Sequence, residues 1–345
     1  MTAAPLRYAR EELLRSHSYA HPHRVAGRRL HGGFDAEGRY LPPRTLVRAP
    51  ALAAWTRALR AQGGDLLAAD ASLLAGVRSP NVAQQKLLLQ SGLGQTFWNQ
   101  LTITGKIEAR GRLLGEIAFP DFQELVVEDI SERAIGHLNR GLLEAHGLDE
   151  GGEPDGSGDG EPIGGHDVMW FALRDLAFGS VDYPDAEVPE RITFEEPARR
   201  FAEIPAAFER TLEFLVNLLL IEFRAEIGFS HAEQLLRDPE LFCARRAEAS
   251  LASELVGRIR RDEELHVASL RLYLGELRAL RFRTRDGGSL PGAAVIDPLW
   301  MRLVHWATVE QPPRVAAQQR EILRERVHRH GDGERLWSAF EALAG

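Results

Sequence analysis

Two segments in the second half of the chain carry apolar residues at helical spacing. From Thr211 to Phe229, apolar positions recur every three or four residues, the period of a helix that buries one face. A longer stretch, from about Ala244 to Arg281, repeats the pattern. The two stripes are Phe208, Leu212, Leu215, Leu219 and Phe223, and then Leu255, Val256, Ile259, Val267, Leu270, Tyr273, Leu274 and Leu277. Both segments are therefore predicted to be long helices that pack into a core.

Shorter helical patterns cover most of the remaining chain. Residues 51–76 are predicted to form two short helices, residues 81–90 another, and residues 121–147 a longer one. Residues 101–107 are rich in β-branched side chains and ambiguous. We expect an extended link or a helix end there, because a single strand has nothing to pair with. The pattern as a whole predicts an all-α protein.

Two segments lack this periodicity. Residues 1–50 are basic and contain several histidines and prolines, so we expect an irregular arm. Residues 148–165 hold six acidic residues, no basic residue and seven glycines, a composition typical of a flexible loop. We divide the rest into an N-terminal helical region at 51–120, a central bundle at 121–281 and a C-terminal helical extension at 282–345.

Composition narrows the class of protein. The formal net charge of -8 and a pI near 5.9 argue against a nucleic-acid binder, whose affinity would depend on basic residues. A single cysteine, Cys243, excludes an internal disulfide framework and suits a reducing compartment. No apolar run reaches the roughly 20 residues of a membrane span, and the N-terminus lacks a signal-peptide pattern. We expect a cytoplasmic protein that binds neither nucleic acid nor membrane.

Acidic side chains interrupt both apolar stripes. Glu222 and Glu226 project from the first stripe, and Glu263 and His266 lie near the middle of the second. A buried carboxylate is costly unless it is protonated, paired or bound to a metal. Glu263 and His266 form a Glu-x-x-His pair, which places a carboxylate and an imidazole side by side on one helical face. If the two helices face each other, these residues form a site of three carboxylates and one histidine.

At these residues the chain resembles the ferritin-like di-iron carboxylate proteins, whose helical bundles use Glu residues and Glu-x-x-His pairs from facing helices. The resemblance covers residues 121–281, a little under half the chain. It implies a ferritin-like bundle, here with helical N- and C-terminal additions, that binds two iron or manganese ions. It also implies activation of dioxygen and oxidation of a small organic substrate. A homodimer is one candidate assembly.

The resemblance also implies a second pair of a carboxylate and a histidine, which the sequence supplies irregularly. No other Glu-x-x-His occurs at the expected place, because Ala134 lies three positions before His137. We select Glu128 with His137 to complete the site, and we hold Glu132 and His166 in reserve. The predicted ligands are Glu128, His137, Glu222, Glu226, Glu263 and His266.

Three other interpretations stay open at this point. Glu222 and Glu226 could pair with arginines such as Arg258, Arg260 or Arg261, which would give a buried ion network without metal. The doublet His166-Asp167 resembles that of HD-domain phosphohydrolases, in which His137 and Asp262 would be the further ligands. A non-catalytic helical scaffold is the third interpretation, and it gives Glu263 and His266 no joint role.

Overall fold

The structure is a computed structural model that describes residues 6–74, 80–156, 160–188, 193–194 and 199–344. Within these ranges the chain is mostly helical, as the hydrophobic pattern predicts. The helices are α1 (Arg10–Leu13), α2 (Thr45–Ala61), α3 (Val82–Gln90), α4 (Gln95–Gly111), α5 (Phe122–Leu125), α6 (Leu143–Gly151), α7 (His166–Phe178), α8 (Ala206–Arg237), α9 (Arg246–Ala279), α10 (Ala293–His305), α11 (Gln311–His328) and α12 (Gly333–Ala342). The strands are β1 (His21–Val25), β2 (Arg28–Phe34), β3 (Tyr40–Leu41), β4 (Arg281–Arg283) and β5 (Ser289–Pro291).

Helices α8 and α9 form the long antiparallel pair at the centre of the fold. Neither contains a proline, and α8 ends where Asp238 takes an extended conformation before Pro239. The predicted stripes are buried: Leu215 and Leu219 on α8 and Ile259 and Leu270 on α9 are fully inaccessible. Each such side chain contributes roughly 1.5–3 kcal/mol on burial. The pair is therefore held by the stripes that predicted it.

Helices α4, α6 and α7 pack together beside this pair, and α7 also packs on α9. Residues 101–107, expected to be a link or a helix end, lie inside α4. The hydroxyls of Thr102 and Thr104 donate to the carbonyl oxygens of Trp98 and Gln100, so these β-branched residues fit within the helix. The prediction failed because tertiary packing overrides a weak strand preference.

The prediction of a single helix at 121–147 is wrong. Helix α5 ends after one turn, Val126 bridges to Phe282, and a tight 3₁₀ turn follows at Ala134–His137. The backbone bends sharply again at Gly141, whose φ is 110°. The carboxylate of Glu276 on α9 accepts hydrogen bonds from the backbone N–H groups of Ala134 and Ile135. A contact with a distant helix thus sets this path, which local spacing could not show.

The described part of the predicted arm, residues 6–50, is not irregular. Strands β1, β2 and β3 make a three-stranded antiparallel sheet, and α2 begins at Thr45. The turn between β1 and β2 places Ala26 and Gly27 at positive φ, which suits the right-handed twist of a two-residue hairpin. His23 and His31 are buried. The sheet therefore belongs to the core, because its histidines pack inward.

The segment 148–165 also differs from the predicted loop. Residues 148–151 are the last turn of α6, and Asp149 and Glu150 are buried there. Glu153 and Ile163 then pair through two backbone hydrogen bonds of 2.7 and 2.9 Å. Residues 157–159 lie outside the described residues. The acidic residues of this segment therefore include the buried Asp149 and Glu150 as well as exposed ones.

The C-terminal segment is helical, as predicted, after a short β4–β5 hairpin. The sequence predicts two short helices at 51–76. In the structure, α2 begins before that range, and a 3₁₀ turn forms at Ala71–Leu74. Residues 75 and 76 lie outside the described residues. No helix in the described ranges is both long enough and apolar enough to cross a bilayer.

Candidate metal centre

Four carboxylates and three imidazoles meet in the interior between α4, α6, α7, α8 and α9. Each of these side chains lies on the face of its helix that packs against the neighbouring helices. They form two groups in which the nitrogen and oxygen atoms lie within 4.8 Å of one another. All seven residues are buried: Glu108, His146, Glu150, His166, Glu222, Glu263 and His266.

The first group joins α6, α8 and α9. The His146 Nε2 is 3.1 Å from Glu222 Oε1 and 3.4 Å from Glu150 Oε1. The rings of His146 and His266 stack at 3.8 Å between centroids. Glu150 Oε1 also lies 3.2 Å from His266 Nδ1. This group holds two imidazoles and two carboxylates.

The second group joins α4, α6, α7 and α9. The His166 Nδ1 lies 3.6 Å from Glu108 Oε2, 3.5 Å from Glu150 Oε2 and 3.1 Å from Glu263 Oε1. Glu150 therefore belongs to both groups, with one oxygen in each. Glu263 spans them as well, because its Oε2 is 2.8 Å from His266 Nδ1. The two groups are adjacent and share their central carboxylates.

Two aspartates orient His266 and His166. The Nε2 of His266 is 3.1 Å from Asp149 Oδ2, and the Nε2 of His166 is 3.3 Å from Asp262 Oδ2. An ionised carboxylate can only accept, so each Nε2 carries the hydrogen and each Nδ1 faces the glutamates. Metal-ligating histidines are held in this way by a carboxylate on the other ring nitrogen.

Buried arginines fix the first aspartate. Arg44 contacts Asp149 Oδ1 at 2.7 Å, and Arg48 donates to its Oδ2. Burial alone would raise the pKa of the Asp149 carboxyl, but the two guanidinium groups and His266 hold that pKa well below its ordinary value. Asp149 is therefore a fixed anion behind His266, and its own charge is already neutralised.

The four glutamates differ in their affinity for protons. Burial, reinforced by the charge of Glu263, raises the pKa of Glu222 to about 8. Burial and the charge of Glu150 act in the same direction on Glu263, but His266 and His166 outweigh them and hold the pKa of Glu263 at about 2. The surrounding carboxylates raise the pKa values of His166 and His266 well above the ordinary value, against the effect of burial. Without a cation, the cluster retains protons in its place.

The arginines that could have neutralised the core acids are engaged elsewhere. Arg258 contacts His23 and Glu254, and Arg260 contacts Glu233. Arg261 reaches the carbonyl oxygen of Tyr40. Across the described ranges, the ion-pair partner of Glu222 is His146. The arginine network that the sequence left open as an alternative does not form among the described residues.

Three of the six predicted ligands, Glu222, Glu263 and His266, lie in these groups. Glu226 does not, and its side chain is exposed on α8. Four residues along a helix turn the side chain about 40° past the starting direction. That rotation carries Glu226 from the buried stripe to the wall of an open cavity beside Ser230.

Glu128 and His137 also lie elsewhere, because the helix that was expected to carry them does not form. Glu128 Oε2 accepts the backbone N–H of Arg281. His137 packs against Trp55, and both of its ring nitrogens have backbone partners. The reserve residue Glu132 is exposed and pairs with Arg7, whereas the other reserve residue, His166, is central to the site.

The sequence missed Glu108, His146 and Glu150, although two signals were present. Glu108 continues the buried face of α4 that includes Phe97 and Leu101, at spacings of seven and eleven residues. His146 and Glu150 lie four residues apart, which places them on one helical face. His146 also lies in the last turn of the helix predicted at 121–147, where a favourable interaction with the helix end accounts for it without a ligand role.

The pairing of Glu150 with His166 gave no signal at all. Glu150 lies in the last turn of α6, His166 opens α7, and the chain between them returns through Gly152 and Gly165. A Cβ on Gly165 would lie 2.4 Å from the backbone N of Gly152, so the two backbones approach too closely for any larger residue. The turn sets a carboxylate beside an imidazole, as Glu-x-x-His does within one helix.

The geometry brings together only two of the four residues of the HD-like interpretation, His166 and Asp262. Asp167 accepts the backbone N–H of Val168 and belongs to neither group of the centre. His137 packs against Trp55, while Asp262 contacts His166 from its outer side.

Comparison of the chain with family models, with curated proteins and with solved structures gives no match.

Proposed function

We propose that this protein is a dinuclear iron or manganese oxidase or oxygenase that oxidises a small organic molecule with dioxygen. The observation that carries the proposal is the shared position of Glu150, whose two oxygens face two adjacent groups of nitrogen and oxygen donors. One glutamate comes from each of α4, α6, α8 and α9, which supports a ferritin-like arrangement of these helices.

The residues fit two divalent cations. Glu263 Oε2 and the inward nitrogen of His266 are only 2.8 Å apart, and an oxygen and a nitrogen lone pair approach so closely only around a shared proton or metal ion. The inward nitrogens of His146 and His166 are buried and form no hydrogen bond to any described residue. Four glutamate charges would balance two divalent ions, because Asp149 is already neutralised by arginines.

The donor atoms favour iron or manganese. Carboxylate oxygen with imidazole nitrogen suits these metals, whereas thiolate would favour softer ones. The single cysteine, Cys243, is exposed and outside the site. Magnesium is less suited, because it prefers oxygen ligands and retains water.

The protein residues would position the metal ions and keep water out of the centre. Two bound ions of this kind would supply the redox chemistry that activates dioxygen. Glu150 and Glu263 would hold the ions side by side. Asp149 and Asp262 keep a hydrogen on the outer nitrogen of His266 and of His166, respectively. All seven residues of the centre are buried, which excludes bulk water and would protect a reactive oxidant from side reactions.

The direct test is metal analysis of protein purified without chelator, with a matched pair of variants on α8. We expect about two iron or manganese ions per chain and a clear loss in Glu222→Ala, because that change removes a ligand. Glu226→Ala removes the same type of side chain one turn away and should leave the metal content unchanged.

Activity provides the second part of the test. The metal-loaded protein should consume dioxygen in the presence of a reductant, and Glu222→Ala should not. Protein that holds no metal would favour the scaffold interpretation. Release of phosphate from phosphoesters would favour the HD-like hydrolase and contradict the oxidase proposal.

A further inference from the structure

A third group of metal-binding side chains lies beside the centre, toward the N-terminal sheet. It consists of His31 on β2, His166 on α7 and Asp262 on α9, all of them buried. Asp262 Oδ2 is 3.1 Å from His31 Nε2 and 3.3 Å from His166 Nε2. The group meets the outer nitrogen of His166, whereas Glu150 and Glu263 meet its inner nitrogen. It is therefore distinct from the dinuclear centre.

Buried polar atoms in this outer group lack the partners that burial normally requires. Among the described residues, neither ring nitrogen of His31 has a hydrogen bond, and Asp262 Oδ1 has none. Asp262 Oδ2, by contrast, accepts from Tyr40 and His166. A carboxylate oxygen and an imidazole lone pair are both electron-pair donors, so a single cation would satisfy them together.

His31 also forms part of the wall of a cavity of about 500 Å³. The same wall includes His17, His23 and Glu153, which are residue types that bind divalent cations, but His23 and Glu153 already have partners. Two arginines in this wall, Arg29 and Arg44, form ion pairs with carboxylates. The cavity therefore reaches the outer group at His31, whose ring nitrogens have no hydrogen bond among the described residues.

From this cavity inward, each set of donors shares a residue with the next. His31 belongs to the cavity wall and to the outer group. His166 belongs to the outer group and to the group that contains Glu108, and Glu150 belongs to both inner groups. An ion that moves inward could exchange one donor set for the next without crossing an apolar gap.

A second cavity near the same end of the site is less suitable for a cation. Its volume is about 420 Å³, and its wall contains Arg28, Arg29 and Arg112. It borders Gly151, next to Glu150, but no histidine is among its lining residues, and Arg29 lies in the walls of both cavities. The histidine-lined cavity is the favoured route.

We propose that His31 and Asp262 form an outer loading site, which captures a divalent metal ion from the histidine-lined cavity and passes it through His166 to the dinuclear centre. The proposal rests on the dinuclear centre proposed above. Occupation of this loading site is transient, because the outer nitrogen of His166 carries a hydrogen toward Asp262, which leaves His31 and Asp262, among the described residues, as the only protein ligands of the outer group.

The rate of metal uptake tests this role. Metal-free protein would be mixed with Mn²⁺, and the loss of the sharp EPR signal of free Mn²⁺ would be followed over time. His31→Gln should take up Mn²⁺ about tenfold more slowly or worse, yet reach the same final content, because the inner ligands are intact. His21→Gln, an exposed histidine on β1, is the matched control and should load at the wild-type rate.

The outcomes separate the two proposals. Equal uptake rates in His31→Gln and the wild type would overturn the loading site and leave the dinuclear centre standing. Failure of the wild type to bind Mn²⁺ would overturn the centre itself. If His31→Gln loses its helical circular dichroism, anomalous scattering from wild-type crystals soaked briefly in Mn²⁺ decides. A peak between His31 and Asp262 supports the loading site, and a water molecule there, with metal only at the inner groups, overturns it.

Discussion

Glu150 is the residue on which the two halves of the candidate centre depend. Its Oε1 lies near His146 and His266, and its Oε2 lies near His166. Glu222 and Glu108, by contrast, each belong to a single group. A terminal ligand and a shared ligand should therefore behave differently when they are changed. This difference distinguishes a dinuclear centre from a buried cluster that holds one ion.

Glu150→Gln should lower the metal content to below one ion per chain, because both ions lose a charged ligand. Glu222→Gln should leave about one ion, since the group around Glu108 is untouched. Metal analysis and circular dichroism would be measured on both variants. Glu144→Gln, on the same helix and paired with Arg10, is the control. Equal losses from the two ligand variants would contradict a shared role for Glu150.

The protons held by the metal-free cluster predict a pH dependence of metal binding. A Glu222 with a pKa near 8 is protonated at pH 7, and the raised pKa values of His166 and His266 keep these rings charged. A cation must displace these protons, so affinity should rise as pH increases from 6 through 8, by about tenfold per pH unit for each proton displaced. Calorimetry of Mn²⁺ binding in buffers of different ionisation enthalpy measures the released protons. An affinity independent of pH would contradict the assignment.

At the scale of elements, the junction between α6 and α7 sets the second carboxylate and histidine pair. Gly152 has φ 68° and ψ −164°, a region open essentially only to glycine. A Cβ there would lie 2.2 Å from the carbonyl oxygen of Ile163. The backbone hydrogen bonds between Glu153 and Ile163 then close the turn that brings His166 to Glu150.

Gly152→Ala should weaken metal binding and lower stability, because the added methyl group forces these two backbones apart. Gly160→Ala is a close control, since Gly160 also has positive φ but a Cβ there would meet nothing within 4 Å. We expect the control to cost only about 1–2 kcal/mol of backbone preference and to retain its metal. Urea unfolding and metal analysis would be compared. Equal metal content in the two variants would show that the close approach is not needed.

These elements also show which parts of the fold and of the candidate site can be predicted from the sequence. Helices α8 and α9 were predicted, with Glu222, Glu263 and His266 inside them, because one helix repeats a single period along its buried face. Glu108 lay on such a face as well, but weak helix signals obscured its helix. The position of His166 beside Glu150 depends on a turn between two helices, and no period within either helix encodes it. The N-terminal sheet was missed because its buried histidines resemble those of a polar arm.

At the scale of the whole molecule, the candidate centre lies where five helices meet, and the N-terminal sheet closes it from outside. Its ligands come from positions between Glu108 and His266 along the chain. Metal-free, the cluster places several carboxylates close together in the interior, where like charges repel. Bound cations should therefore stabilise the global fold as well as the site.

We expect Mn²⁺ to raise the melting temperature of the metal-free protein by several degrees. An ion present at 100 times its dissociation constant contributes about 2.7 kcal/mol, provided that the unfolded chain does not bind it. Thermal unfolding followed by circular dichroism measures the change. Glu222→Ala should show a smaller shift and Glu226→Ala the full one. A shift of the same size in both variants would mean that the ion stabilises the protein at some other place.

The turn between α6 and α7 has a further consequence for how this chain tolerates changes of length. Within α9 one inserted residue between Glu263 and His266 would rotate one ligand about 100° away from the other. Between Glu150 and His166 the distance along the chain is not tied to a helical period, so residues can be gained or lost beyond the Glu153 and Ile163 pair while both ligands keep their directions. One half of the candidate centre therefore fixes the length of its segment, and the other half leaves that length free to vary.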